Sequence, residues 1–504
     1  MGLISLVTFI PLFGILIVLL IPKQNEKAIK IASAVIAFIP LVIASYMWGQ
    51  FNYSWAGVNN EATFQFVERM KWIPAYNIEY FVGLDGLSFP MFWLTTFISF
   101  LAIVASWNIN KSVKGYFALF LLLETGMLGV FVSLDFFLFY IFWEVMLLPM
   151  YFLIGIWGGP RREYAAIKFF LYTLLGSVLM LIVMLALYFN VTDPVTGGHT
   201  FNMLHMMDQS NHSGWLKAVD VRLVLYIMLF IGFAIKVPIF PFHTWLPDAH
   251  VEAPTAISVI LAGILLKMGT YGIFRISYPI FPDVAVKTAY MLAILGVINI
   301  LYGAFVAMAQ KDLKKLVAYS SVSHMGFVLL GMSTFTDAGM NGALFQMVSH
   351  GMITAMLFLI VGVIYDRAHH REIEGFGGLG VSMPIYTGVA SLAFFAALGL
   401  PGMTGFIAEA MVFIGTFSVY RTLTVIAALG IVITASYVLW TVQRVFLGKL
   451  NPKYADLPDI NGRELFTLVP LGILVVLFGV YPMPLLNLMR TSMLHLTELI
   501  KMVP

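Results

Sequence analysis

Apolar residues fill this chain in runs of about 20, the length at which an α-helix crosses the hydrocarbon core of a bilayer, and polar residues cluster between the runs. Fourteen runs predict fourteen spans, at about 2–22, 28–49, 84–106, 115–133, 135–156, 164–189, 221–241, 253–276, 284–309, 312–332, 340–365, 384–416, 421–446 and 465–484. The expected fold is an all-α polytopic membrane protein. Spans 7 and 12 carry helix breakers in their interiors: span 7 runs into Pro238 and Pro241, and span 12 contains "LGLPGMTG" around Pro401. Proline has no N–H and crowds the carbonyl four residues back, so Pro238 should release the carbonyl of Ala234, and Pro401 that of Ala397. At membrane depth such carbonyls are tolerated only against protein or water. Both breaks are therefore expected to hold water or polar side chains, with Pro401 holding span 12 open. The stretches 50–82 and 190–220 are the longest predicted loops and carry most of the polar residues.

The two breaks also suggest a repeat. Pro238 and Pro401 lie 163 residues apart, and spans 4 and 9 begin about 169 residues apart. Spans 4–8 (115–276) and 9–13 (284–446) then share a plan, with spans 1–3 (1–114) before them and span 14 with its tail (465–504) after. Five spans per unit turn the second copy upside down. Broken helices at matching places in inverted halves mark ion paths in transporter folds.

Composition narrows the class. Of 504 residues, 61% are hydrophobic and 11% charged, more apolar surface than a soluble chain of this length can enclose. The first run is too long for a cleavable signal peptide, and no small-residue cleavage site follows it. Without cysteine, the chain has no thiolate to ligate an iron–sulfur cluster and none for a disulfide. No G-x-G-x-x-G on a strand and no Walker loop appear, so no NADH site is expected, and no nucleic-acid partner. Sixteen Lys and Arg are counted to the loops after odd-numbered spans and seven, Arg222 and Arg275 among them, to the loops after even-numbered ones, which predicts a cytoplasmic odd side and both termini outside.

Several charges sit inside spans, where one costs at least roughly 2.5–3.5 kcal/mol on insertion scales. They are Glu144 in span 5, Lys168 in span 6, Lys236 at the span 7 break, Lys267 in span 8 and Glu409 in span 12, eight residues past Pro401. His324 and His350 lie in spans 10 and 11, Glu124 in span 4, and Asp135 at the start of span 5. His243 and His250 follow the first break and are candidates for a cytoplasmic inlet. Bland readings exist for each. Glu144 and Lys168 could simply pair, the histidines could be satisfied by neighbouring serines, and Glu124 could brace a neighbouring subunit. As a set, however, acids and bases alternate along successive spans. Burial disfavours the charged form of each, and a nearby opposite charge favours it. An ion pair at about 4 Å in an effective dielectric near 20 is worth roughly 4 kcal/mol, enough to decide whether a lysine holds or releases a proton. That is the chemistry of a proton relay.

Three stretches carry a resemblance: "FWEVMLLPMYFLIGIWGG", "KVPIFPFHTWLPDAHVEAPTAISVILAGILLKMGTYG" and "AYSSVSHMGF". They resemble the antiporter-like membrane subunits of respiratory complex I, across about residues 80–450. The resemblance implies fourteen helices with two inverted five-helix repeats, Glu144 and Lys236 as paired charges, Lys267 as central relay and Glu409 on the outlet side. The paralogous L and N members typically carry a lysine in the second broken helix and one member a glutamate; Glu409 aligns the chain with the latter. About 20 residues follow span 14, too few for the long lateral helix of the L subunit. The resemblance further implies a bacterial inner membrane, partner chains holding FMN, iron–sulfur clusters and the quinone site, and no cofactor in this chain. Two other classes share some of these features: a subunit of a multisubunit Na⁺/H⁺ antiporter or membrane-bound hydrogenase, and a membrane scaffold whose buried charges only join subunits.

Overall fold

In the computed structural model, which describes residues 2–502, helices cover the predicted spans. They are α1 (Leu3–Leu20), α2 (Glu26–Gly49), α3 (Phe89–Ala105), α4 (Val113–Val132), α5 (Phe136–Trp157) and α6 (Arg162–Asn190). Next come α7a (Val219–Lys236) and α7b (Trp245–Glu252), α8 (Thr255–Ile280), α9 (Pro282–Met308), α10 (Leu313–Met332) and α11 (Asp337–Ala368). The chain closes with α12a (Pro384–Leu398), α12b (Thr404–Phe417), α13 (Arg421–Val445), α14 (Gly462–Val480) and α15 (Met483–Lys501). Among the described residues, eleven of these helices are long and apolar enough to cross a membrane. Asp220, Arg222 and Lys236 keep α7a out of that set, the lysines at the start of α10 weaken its apolar run, and the halves of α12 are short.

Short polar residues set several helix starts by accepting from backbone N–H groups of the first turn. Asp135 accepts from Leu138 at 3.0 Å, Asp312 from Lys315 at 3.0 Å and Thr336 from Gly339 at 3.1 Å. Asn461 and Glu464 form a reciprocal capping box on α14. Asp135 also accepts from the Glu79 amide at 3.1 Å, so its place is an architectural one. Helix α8 and α11 form the axis of the molecule, wholly buried along their apolar windows, whereas those of α1, α2, α6 and α13 are 39% buried.

Two elements depart from the expected loops. Residues 50–82 contain a hairpin, β1 (Gln65–Ile73) and β2 (Ile78–Leu84), closed at Asn77 in a left-handed conformation that asparagine tolerates. Glu68 of β1 caps α1, accepting from the Gly2 and Ser5 amides at 2.9 and 3.0 Å. The tail forms α15, whose polar side bonds back to residues 53–59 through Thr491, Ser492 and His495. Hairpin, loop 191–218, the start of α9 and α15 share one face, joined by contacts such as Asn77–Asp193 at 2.8 Å and Arg222–Asp283. The opposite, basic face is laced by Arg161–Glu252, Arg371–Asp312, Arg367–Glu464 and Arg444–Glu374. Arg275, at the very end of predicted span 8 and counted with the loop after it, lies well inside α8, because that helix runs on to Ile280.

Candidate functional site

Four of the charges within the spans sit beside irregular backbone. Helix α5 is interrupted at Met146, two residues past Glu144. Pro149 crowds the carbonyl of Val145, which accounts for the interruption. Lys236 is the last residue of α7a, before Pro238. Lys267 follows a π turn at Leu261–Leu265. Glu409 lies in α12b, just past the break at 399–403. Single π turns and proline breaks leave carbonyls that the regular ladder does not use.

The released carbonyls find partners, and not always the expected ones. At the first break the Ala234 carbonyl accepts from the Ile239 amide at 2.9 Å, so the chain itself caps it. The neighbouring Ile235 carbonyl is the one left for a side chain, and the Trp245 indole donates to it at 2.7 Å. Asn299 of α9 fills the gap, accepting from the Phe240 amide at 2.8 Å and donating to the Pro238 carbonyl at 3.3 Å. At the second break the Ala397 carbonyl lies 3.0 Å from Nε2 of His324, as its release by Pro401 implies. Gly399 at φ +80° and Gly402 at φ +92° also shape this break, in a region that disfavours other residues. Proline is therefore not its sole cause.

Around the axis, Lys267 Nζ donates to the Ala262 carbonyl within the π turn and lies 2.7 Å from Nδ1 of His350. Glycines permit this approach. A Cβ on Gly351 would stand 2.9 Å from the Gly263 carbonyl oxygen, so α8 and α11 cross backbone to backbone beside the pair. The rings of His350 and His324 are 5.5 Å apart. His324 Nδ1 lies 2.7 Å from the Ser320 carbonyl, so both its nitrogens face carbonyl acceptors. A neutral imidazole satisfies one of them; only the protonated ring donates to both. Glu409 Oε1 is 3.9 Å from His324 Nε2. His324, His350, Gln346, Thr354 and Glu409 line a cavity of about 10 Å³, close to the room one water needs.

The first half is looser. Lys236 is 2% exposed, with its ammonium 5.3 Å from the Trp143 ring and 5.5 Å from that of Phe169. Among the described residues it makes no ion pair with Glu144 within 4.0 Å. Glu144 is half-buried, and its Oε1 has no hydrogen-bond partner among the described residues. Lys168 pairs with Asp248 of α7b at 2.7 Å rather than with Glu144. His243 bonds Tyr302 at 3.1 Å. His250 is fully enclosed, stacked 4.5 Å from Phe358, with both ring nitrogens unpartnered among the described residues. Glu124 is likewise enclosed with both oxygens unpartnered. Gly269 lets α8 close against the end of α7a, where a Cβ would stand 2.7 Å from the Phe233 carbonyl oxygen.

Sequence reasoning passed over Asp248, Asn299 and the Asp85–Arg275 pair. A lone asparagine in "GVINILYG" and an acid in "TWLPDAH" were signals for the first two.

Known proteins share this chain's family and fold. Residues 133–434 match the family described as NADH:quinone oxidoreductase/Mrp antiporter, TM, and residues 28–134 match the amino terminus of NADH-ubiquinone oxidoreductase chain 4. The chain belongs to the NADH:quinone oxidoreductase/Mrp antiporter family. Within this family it is 41% identical to NADH-quinone oxidoreductase subunit M of Rickettsia bellii (strain RML369-C), over 98% of both chains. It is 42% identical to subunit M of Rhodobacter capsulatus, over 99% of this chain and 96% of the other. Among solved structures, a chain of respiratory complex I from Thermus thermophilus with bound NADH superposes with a TM-score of 0.86 at 28% identity, over 99% of each. A chain of the Mrp complex from Dietzia sp. DQ12-45-1b shares the fold, with a TM-score of 0.84 at 21% identity over 99% and 98%.

Proposed function

We propose that this chain is the proton-translocating, antiporter-like M subunit of a NADH-quinone oxidoreductase, a multi-pass component of a bacterial membrane that works beside the paralogous L and N subunits. It contributes no redox centre; FMN and iron–sulfur clusters belong to partner chains, and among the described residues no group of three His, Asp or Glu could hold a metal. Protons pass along Glu144, Lys236, Lys267, His350, His324 and Glu409, with Lys168 tuning the first half through Asp248. The units 115–276 and 284–446 are the two inverted repeats around this line. The basic face is cytoplasmic, and both termini lie on the periplasmic side.

One observation carries the reading: Lys267, His350, His324 and Glu409 stand in sequence across α8, α11, α10 and α12b, with 2.7 Å, 5.5 Å between rings and 3.9 Å between successive groups. A scaffold has no need of such spacing. The 41% identity to quinone oxidoreductase subunits supports this reading over an Na⁺/H⁺ antiporter subunit, for which the Mrp likeness speaks to the fold alone. The test is Glu409→Gln in the whole complex, reconstituted in proteoliposomes. It should assemble and lose NADH-driven proton translocation. An assembled variant pumping at the wild-type ratio of protons to NADH overturns the relay.

A further inference from the structure

Helix α8 ends differently on the two faces. On the basic face its first residue, Thr255, opens on a cavity of about 190 Å³ lined by Glu252, Lys314 and Arg371 among others. Lys314 is buried there and donates to the Ala253 carbonyl. Towards the hairpin face, eight residues or about 12 Å past Lys267, a second π turn at Ile273–Ser277 holds Arg275, 1% exposed. Its Nη2 lies 2.5 Å from Asp85 Oδ1, its Nε donates to the Tyr271 hydroxyl at 3.1 Å, and that hydroxyl donates to the Phe131 carbonyl at 3.0 Å. The guanidinium sits 5.4 Å from the Phe64 ring.

Asp85 is fully enclosed and is held by the amides of Val58, Leu87 and Ser88 at 3.0–3.1 Å. Gly57, at φ +66°, allows the close approach, since a Cβ there would stand 2.3 Å from that of Asp85. Ser492 of α15 pins the same loops, bonding the Ala56 carbonyl and the Gly86 amide. The guanidinium thus meets Asp85, Tyr271 and Phe64, and the loops that hold Asp85 are tied to α15; its Nη1 has no hydrogen-bond partner among the described residues. The 660 Å³ cleft on the hairpin face is lined by residues of loops 59–61 and 194–211 and of α15, with neither Arg275 nor Asp85 among them.

We propose that Arg275, fixed by Asp85 and Tyr271, is a charged plug that closes the hairpin-face end of α8, so that a proton on Lys267 has no direct exit along that helix and must leave through His350 and Glu409. An immobile guanidinium with no proton to give up blocks a proton path as an arginine does in a selective pore. The proposal rests on Lys267 being a relay member, and it assigns Arg275 and Tyr271 a positioning and sealing role rather than a catalytic one. Without such a seal, a site open to the basic face would let the gradient run back.

The test uses the whole complex in proteoliposomes without NADH, with passive proton uptake driven by a potassium diffusion potential. Arg275→Met/Asp85→Leu removes both charges together, so no unpaired ion remains to block folding. It should assemble, leak protons several-fold faster than wild type and hold a smaller gradient while quinone reduction continues. Arg275→Lys, which keeps the charge, should restore tightness in part, and Tyr271→Phe, the variant to read if the double substitution does not assemble, should leak at an intermediate rate. Adding Lys267→Met to a leaking variant should stop the leak. Assembled variants as tight as wild type overturn the plug, and so does a leak indifferent to Lys267→Met. Failure of the relay itself reads out separately, as Lys267→Met alone that still pumps.

Discussion

His324 stores the logic of the site in one ring, because two carbonyl oxygens, at 2.7 and 3.0 Å, compete for a proton pair that only the charged form carries. Removing the ring should leave the Ala397 carbonyl unpaired, a desolvation loss of about 1–3 kcal/mol. His324→Ala should therefore lower the thermal stability of the assembled complex as well as abolish pumping, whereas His324→Lys should keep the donor and recover stability first; melting and proton uptake measured on the same preparation separate the two. The first half makes a different demand. Glu144 and Lys236 stand farther apart than 4.0 Å, so their pair is unformed in this structure, and in the proposed relay its formation is a step. Lys236→Met and Glu144→Gln should each assemble and lose translocation, and the double variant should be no worse than the worse single one, since both act in one unit. Near-wild-type pumping by either single variant refutes this. At this scale the sequence was legible in kind: a lysine or glutamate in an apolar run announces itself. Partners were not legible. That Lys168 meets Asp248 and Lys267 meets His350 depends on which helix faces are brought together, and spacing along one helix carries no information about the other.

At the scale of the element, the breaks shape the backbone beside the proposed relay, and their causes differ in visibility. Pro238 and Pro401 are plain in the sequence. The α5 interruption was also there to be read, since Pro149 follows Glu144 by five residues, yet the span around it looks like one uniform apolar run. The two π turns of α8 leave no such mark, because each accommodates one extra residue without a breaker, and only the packing of α8 inside the molecule reveals them. The second break is over-determined. Gly399 and Gly402 hold left-handed conformations on either side of Pro401, so Pro401→Ala should leave α12a and α12b apart and most of the pumping intact. Gly399→Ala should do more damage. It strains the left-handed residue by roughly 1–2 kcal/mol and places a Cβ 2.9 Å from Glu409 Oε2, displacing the carboxylate from His324. A structure of each variant, with proton uptake measured beside it, decides the order; a closed helix in Pro401→Ala would show that proline alone opens it.

Across the whole molecule, charge distribution and packing agree on two unlike faces. The basic face is tied by arginines whose partners lie on other loops, Arg371 reaching the Val251 carbonyl at 2.8 Å and Arg463 reaching Asn108 at 2.9 Å. On the hairpin face the basic residues are fewer, and two of the seven, Arg222 and Arg275, are buried against Asp283 and Asp85. The hairpin and α15 were the least legible parts of the sequence, because both are short amphipathic stretches outside the membrane pattern whose apolar sides are covered only once the loops assemble. They lie on the face that the charge rule assigns to the outside. Because the chain has no cysteine, single cysteines report topology without background. Val195→Cys, at a site 86% exposed on the hairpin face, should react with an impermeant maleimide in intact cells. Lys453→Cys, exposed on the basic face, should react only after the membrane is opened. Both substitutions replace solvent-facing side chains that hold no other part of the fold in place, so assembly should be unaffected and the labelling should report orientation alone. The reverse pattern of labelling would invert the protein in the membrane, put the Lys314 cavity on the side to which protons are delivered, and remove the directional sense from the path between Glu144 and Glu409.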